Sequence, residues 1–398
     1  YLDKHAVEKE EIWEARKVAL AQDVEATPVV ISVWDSGVDA EIPAIKAQAW
    51  NNGDEIPDNG IDDDKNGFVD DVHGFAYDLD ANKVAEILQP IEARYGVKPA
   101  EWQVHAKGLS DLTSNIDSPE AAELRKFMAR LPQEDVQEFL ESLNLYFGYS
   151  HGTHVSGIAL EDNPFAQLLV ARMTYNHTQV PREPTIDQAK RDAAMFRAAG
   201  KYFRDNGVRV VNMSWGGSLR GIEAGLEAHN VGETPEARRA LAREIYDIGS
   251  AGLRDAIGGS PDILFITSAG NADNDVKFDE FYPSSYEFPN ILSVGAVDIA
   301  GDETSFTSLG KVDVYANGFE VDSYVPGGDR LPFSGTSMSS PQVTNLASKL
   351  LAVAPGLSVA ELRQLILDGA DEKQLESRSI RLMNPKASMA LLRERQAK

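Results

Sequence analysis

Cysteine is absent from all 398 residues. That excludes disulfides and cysteine chemistry. A cysteine-free chain suits either redox compartment, so location stays open. No apolar run reaches the roughly 18 residues that a bilayer span needs. Positive charge is scarce: 38 Lys and Arg stand against 63 Asp and Glu, a formal net charge of −25. Such a balance argues against nucleic acid and anionic membrane as partners, and it leaves carboxylates available for cations. Low-complexity stretches are missing too. What remains is a globular composition, 42% hydrophobic, in a chain long enough for one large α/β domain, alone or with an insertion. The chain starts at Tyr1 rather than Met, so we read it as processed or trimmed.

The most informative stretch is Phe333-Ser334-Gly335-Thr336-Ser337-Met338-Ser339-Ser340-Pro341. It reads as a glycine-loosened loop entering a helix that runs from Ser337 to about Ala354. A serine at such a junction exposes its hydroxyl, and its own N–H is among the unpaired donors of the helix start. A nucleophilic serine needs both. Gly335 permits close approach of another backbone. Pro341 is tolerable because the first turn has no acceptor for its missing N–H. Taken alone, the stretch reads first as an ordinary serine-rich N-cap; the rest of the chain reverses that.

In chain order, residues 1–27 are charged and mildly helical, about Ala6 to Gln22. Val29-Val30-Ile31-Ser32-Val33-Trp34 is a nearly continuous apolar, β-branched run, the mark of a strand buried on both faces. It ends in Asp35-Ser36-Gly37. A carboxylate there lies where open α/β sheets bind ligands, although Asp-Gly pairs also simply turn. Next, Asp62, Asp64, Asn66 and Asp70 place oxygens at alternate positions, with Gly67 for the turn and the Phe68 carbonyl at the seventh place. That is calcium-loop spacing, but His73 stands where a glutamate closes an EF-hand, so a further ligand such as Asp71 or Asp58 is required. A solvated acidic turn is the alternative.

Residues 81–147 read as a helical insertion. Ser118-Pro119-Glu120 is a helix start, and apolar residues at helical spacing mark Ala121–Leu131 and Glu134–Phe147, separated by Pro132. It is either a surface insertion or a lid or partner-binding arm beside a cleft. His151-Gly152-Thr153-His154 then opens another helix. No glutamate follows at zinc-motif spacing, so we expect one histidine to be a general base and the other structural. Beyond it, strands and helices alternate: strands at 167–173, 208–213, 263–267 and 291–297, helices at 185–205, 234–257 and 358–367. This predicts a doubly wound, mostly parallel sheet covered on both faces. Asn271, ending a strand beside Ala269 and Gly270, is placed to donate to an oxyanion, or merely to turn the chain.

Taken together and in order, Trp34-Asp35-Ser36-Gly37, His151-Gly152-Thr153-His154-Val155, Ala269-Gly270-Asn271 and Ser334 to Pro341 resemble the subtilisin-like serine proteases, the subtilases. Val211 to Gly217 and Ser293 to Val297 extend the likeness, which covers residues 27–80 and 148–370. The resemblance implies a catalytic domain over 28–398, interrupted by the 81–147 insertion, that acts as a serine endopeptidase on polypeptides. It implies that Ser337 attacks the scissile carbonyl, that His151 carries the proton, that Asp35 orients His151, and that Asn271 with the Ser337 N–H binds the oxyanion. Ser214, Trp215 and Gly216 would pair with an extended substrate, and Ala269, Gly270 and Phe281 would line its first pocket. His154 would be the structural histidine. Structural calcium, no organic cofactor and a secreted or periplasmic location follow from the same likeness.

The departures are local. Gln342-Val343-Thr344-Asn345 stands where the family often has His-Val-Ala-Gly, and Ala316-Asn317-Gly318 replaces Ala-Pro-Gly. Phe281 stands where a small residue often floors the specificity pocket, so small substrate side chains are expected. Asp35 and His151 lie 116 positions apart, farther than is usual in the family, because of the insertion. Two narrower readings stay open. One is a processing protease gated by the insertion or bound there to a propeptide or partner. The other is a catalytically silent, calcium-stabilised binding protein.

Overall fold

The structure, a computed structural model, describes residues 9–91, 99–114 and 116–397. Its strands are β1 (Val29–Asp35), β2 (Gly74–Tyr77), β3 (Lys83–Val84), β4 (Ala166–Met173), β5 (Val210–Met213), β6 (Leu264–Ser268), β7 (Ile291–Val297), β8 (Val314–Asn317), β9 (Val321–Tyr324), β10 (Arg330–Phe333), β11 (Asp371–Gln374) and β12 (Ser379–Leu382). Its helices are α1 (Pro43–Lys46), α2 (Pro99–Thr113), α3 (Pro119–Met128), α4 (Val136–Leu160), α5 (Ile186–Asp205), α6 (Leu219–Ala228), α7 (Pro235–Gly258), α8 (Thr336–Val353), α9 (Val359–Asp368) and α10 (Pro385–Gln396).

One ten-stranded sheet runs in the order β11-β12-β8-β7-β6-β5-β1-β4-β2-β3. Its interior pairs are parallel; only the outermost pairs, β2 with β3 and β11 with β12, are antiparallel. The expected doubly wound sheet is therefore present. The β-branched runs explain it: along β1, Ile31 and Val33 enter the core on one face, while Trp34 enters the core on the other. Two helix layers cover those faces, with α4, α8 and α9 on the first and α5 and α7 on the second. The strand order reverses around β1, which has β4 on one side and β5 on the other. Ligands of such sheets bind beyond the strand ends at this reversal, where Asp35 stands.

Helix ends follow local chemistry. Thr185, Ser218, Thr234 and Asn384 cap α5, α6, α7 and α10 through side-chain oxygens, each worth about 1 kcal/mol. Ser358 and Glu361 form the expected capping box on α9. Asn345 finds its use at another helix end. Its Nδ2 donates to the carbonyls of Ala159 (3.0 Å) and Glu161 (2.7 Å), groups that the end of α4 leaves without helical partners.

Three expectations need correction. The helix expected over residues 6–22 begins outside the described residues, and from residue 9 onward only one 3₁₀ turn forms, Glu14–Arg16. Tertiary partners override the weak helical preference. The Ile12 N–H donates to Ile299 O, the Trp13 indole to Asp298 O and the Leu20 N–H to Asp162 O, all at 3.0 Å. The segment is a strap, not a helix.

The second concerns the insertion. Pro132 does separate two helices, and Ser118 caps α3 through the Ala121 N–H as expected. A further helix, α2, was not foreseen. It packs so closely on α3 that a Cβ at Gly108 would lie 2.6 Å from Glu120 O. The three helices share a small core of Trp102, Ala106, Leu124, Leu143 and Tyr146. Residues 83–88 pair with the main body instead: β3 joins β2, and the Val38 N–H donates to Ile87 O at 3.0 Å.

The third is that His151 does not open a helix. α4 is a single helix of 25 residues that begins in the insertion and carries His151 deep inside it. No proline stands between Phe147 and His151 to break it, and Gly148 and Ser150 are carried within the helix.

Candidate active site

Asp35 ends β1 and is 1% exposed. Its Oδ1 accepts the Ser36 N–H at 2.7 Å and meets His151 Nδ1 at 2.7 Å. With Nδ1–H given to Asp35, the Nε2 lone pair of His151 is free to act as a base. Burial disfavours the imidazolium, but the charge and hydrogen bond of Asp35 outweigh it and hold the His151 pKa above the ordinary histidine value.

Two glycines make this contact possible. α4 lies so close to the end of β1 that a Cβ on Gly152 would stand 2.3 Å from Gly37 O. Gly37 itself has φ +116°, a conformation that side chains disfavour. The Ser36 hydroxyl accepts the Gly152 N–H at 3.1 Å and fastens the helix there. His154, one turn on, is fully buried. Its Nε2 donates to Leu331 O at 2.8 Å, and burial pulls its pKa down to about 3, so it stays neutral.

Gly335 is the N-cap of α8, with φ +149°, and Ser337 lies in the first turn. The Ser337 hydroxyl donates to Ser214 O at 3.2 Å. Asn271 is held by its oxygen. Its Oδ1 accepts both the Thr336 N–H (2.8 Å) and the Thr336 hydroxyl (2.9 Å), which leaves Nδ2 available. The same hydroxyl oxygen accepts the Gly270 N–H at 3.1 Å. A Cβ placed on Gly335 would sit 3.2 Å from Asn271 Nδ2 and 3.7 Å from Ser337 N. Two donors therefore flank one small space, and it is open because residue 335 is glycine. Thr336 was not singled out in the sequence; its neighbour Ser337 drew the attention.

Ser214, Trp215 and Gly216 follow β5. Ser214 Oγ donates to Ser337 O at 3.0 Å and meets Ser340 Oγ at 2.8 Å, tying this segment to α8. Among the described residues, the N–H and carbonyl of Trp215 and Gly216 make no hydrogen bond. They form a free strand edge next to Ser337. Phe281 fills the space between this edge and the Ala269–Gly270 segment: a Cβ on Gly216 would lie 2.4 Å from its ring, and one on Gly270 3.4 Å. Asp35, His151, Asn271, Ser337, Ser214–Gly216, Ala269–Gly270 and Phe281 thus converge at one end of the sheet.

The acidic loop behaves differently from its spacing. Asp62 and Asp64 come together with Glu55, their nearest oxygens within 4.8 Å of one another. Asp70 turns away and accepts the N–H groups of Asn59 and Gly60, both at 3.0 Å. The Asn66 amide donates to Asp64 (2.8 Å) and Asp71 (2.7 Å). Phe68 buries its ring among Phe75, Tyr77 and Tyr202. Glu55 escaped the sequence reading because it precedes the periodic segment. It is 7% exposed, and its Oε2 has no hydrogen-bond partner. Burial raises its pKa, and the Asp64 and Asp63 N–H groups only partly oppose this. An orphaned oxygen among three carboxylates fits a hard cation such as calcium.

The chain is also similar to known proteins. A sequence model of the subtilase family matches residues 26–382. Subtilisin DY of Bacillus licheniformis is 28% identical over 219 residues, which is 54% of this chain and 68% of that one. A thermophilic serine proteinase of Bacillus sp. (strain AK1) is 31% identical over 225 residues, 56% of this chain and 47% of that one. Among solved structures, the A-subunit of the AB5 toxin from E. coli superposes with a TM-score of 0.53 at 15% identity, covering 92% of this chain and 93% of that one. A lanthipeptide protease gives 0.53 at 14% identity, covering 92% and 90%.

Replacing Gly152 by Ala should push α4 away from Gly37 and stretch the Asp35–His151 contact. Labelling of Ser337 by a fluorophosphonate is expected to slow tenfold or more, with the circular dichroism spectrum preserved. Labelling at the unchanged rate would contradict the close-approach argument.

Proposed function

Because the chain belongs to the subtilase family of serine endopeptidases, we propose that it hydrolyses peptide bonds through an acyl-enzyme on Ser337. The observation that carries this reading is the 2.7 Å bond between His151 and a buried Asp35, at the same end of the sheet as Ser337 in the first turn of α8. The Ser337 hydroxyl leaves Ser214 O and turns to His151 Nε2, which takes its proton as Oγ attacks the carbonyl carbon. Asp35 stays ionised and stabilises the imidazolium. Negative charge gathers on the carbonyl oxygen, where Asn271 Nδ2 and the Ser337 N–H donate to it. His151 then hands the proton to the leaving amine, and water repeats the sequence to release the acyl group.

Two features refine the reading. The Phe281 ring occupies the space where the side chain before the scissile bond would enter, which favours glycine or alanine there. Asp62, Asp64 and Glu55 are the residues that would hold calcium, whose role is to cross-link the acidic loop by neutralising three carboxylates. We take the family's usual secreted or periplasmic setting as the place of action; among the described residues no helix is long and apolar enough to cross a membrane.

Cleavage of a diverse peptide pool tests the reaction. We expect cuts after small residues, and Ser337→Ala should lower turnover by roughly a millionfold while the fold persists. Phe281→Gly should admit large residues before the cut. Substantial cleavage by Ser337→Ala would refute the acyl-enzyme. A cut pattern that Phe281→Gly leaves unchanged would refute the filled pocket.

For the metal, calcium at a hundred times its Kd should add about 2.7 kcal/mol to the stability of the Ser337→Ala protein. Glu55→Gln should reduce that gain. A thermal midpoint indifferent to calcium would remove the site.

A further inference from the structure

A cavity of about 400 Å³ opens directly beside the free edge at Gly216. Met173, Met195, Phe196, Trp215 and Tyr282 give it apolar walls, and the Phe196 and Trp215 rings stack with centroids 5.9 Å apart. Charged groups also line it, and most of them are already engaged. Asp78 accepts from the Asp80 and Asn82 N–H groups and from the Asn82 amide. Arg182 pairs with Asp80 at 2.6 Å. Arg191 donates to Asp80 O at 3.2 Å and to Gln188 Oε1. Glu183 is exposed at the rim.

Asp192 is different. It comes from α5 and is partly buried, and its Oδ1 accepts one bond, from Gln188 Nε2 at 2.8 Å. Among the described residues, its Oδ2 accepts none, and no cation lies within ion-pair distance. Burial raises its pKa; the Gln188 bond and the more distant Arg191 and Arg182 charges only partly offset this. A neutral occupant of the cavity would strip water from that carboxylate without replacing it, and an acidic one would be repelled. A long cationic side chain meets both halves of the lining. Its methylene stem lies along methionine and aromatic surface, and its charge reaches Asp192.

We propose that this cavity selects a lysine or arginine side chain of the polypeptide substrate, on the acyl side of the scissile bond, with Asp192 as its counter-charge. The proposal rests on the protease reading. A substrate strand on the free edge advances about 3.3 Å per residue, so Gly216 lies roughly two residues along from Ser214 and the nucleophile. The selected side chain therefore stands about two to four positions before the cut. With Phe281 closing the adjacent pocket, side-chain discrimination moves to this cavity.

The test uses quenched fluorescent peptides with alanine immediately before the cut and lysine, norleucine or glutamate at each of the next three upstream positions in turn. At one position, lysine should raise kcat/KM tenfold or more over norleucine, with glutamate poorest. Asp192→Asn should bring the lysine-to-norleucine ratio close to one, and Asp192→Lys should reverse the order of lysine and glutamate. Equal cleavage of the lysine and norleucine peptides by the unaltered protein overturns the proposal, whatever the variants do. So does a lysine preference that survives in Asp192→Asn. In both cases cleavage itself leaves the protease reading standing. No cleavage, together with no fluorophosphonate labelling of Ser337, overturns both.

Discussion

The hydrogen bond between Asp35 and His151 governs the layout of this molecule. It joins two elements that are 116 residues apart in the chain, and it forms at the strand-order reversal of the sheet. Its geometry demands that a helix touch the end of a buried strand, and side chains would keep them apart. Gly37 and Gly152 remove that obstacle, and the Ser36 hydroxyl secures the joint. The carboxylate is then deep enough to act through low dielectric, and the imidazole gains its raised affinity for a proton. Everything else positions partners around this pair: α8 brings Ser337, and β6 brings Asn271.

The insertion shares in that positioning. Its last helix is the helix of His151, so the arm and this histidine belong to one continuous rod. Its first helix lies against the segment just before Ser337, where the Ser334 N–H donates to Ser110 Oγ at 3.3 Å. Lys107, 5% exposed at its side chain, pairs with Asp111 at 2.5 Å and reaches Glu320 at 3.2 Å. Burial raises the Asp111 pKa against the opposing Lys107 and Ser118 bonds, so the pair is better understood as fixing the docking of α2 than as adding stability. On the other side, Asn144 donates to His177 O at 3.3 Å and the Gln179 N–H to Glu141 at 3.1 Å. Such an arm reads as a brace and wall of the cleft.

The sequence disclosed the strands that are buried on both faces, because continuous β-branched runs leave few other options. It also disclosed the residues that gather at the candidate site, since each sits in a short local pattern: strand then Asp-Ser-Gly, His-Gly-Thr-His, Ala-Gly-Asn, Gly-Thr-Ser. What stayed hidden was whatever depends on distant contacts. β11 is short, polar and half exposed, and it exists because β12 pairs with it. The N-terminal strap reads as helix until Ile299, Asp298 and Asp162 claim its hydrogen bonds. The calcium-loop spacing pointed to Asp70, yet Asn59 and Gly60 hold that carboxylate, and it is Glu55 that stands with Asp62 and Asp64. Asp192 carried no local sign at all; its meaning comes from the cavity wall opposite it.

The most direct test of the account is the pH dependence of acylation, read as the fluorophosphonate labelling rate of Ser337. The general base must be neutral to accept the serine proton. A His151 pKa held up by Asp35 therefore places the acid limb above the ordinary histidine value of about 6.5, with the rate rising through it. Removing the counter-charge with Asp35→Asn should abolish most of the rate and shift the limb to lower pH. A labelling rate flat from pH 5 to 9, or a limb that Asp35→Asn leaves where it was, would contradict the claim that this buried pair drives the chemistry.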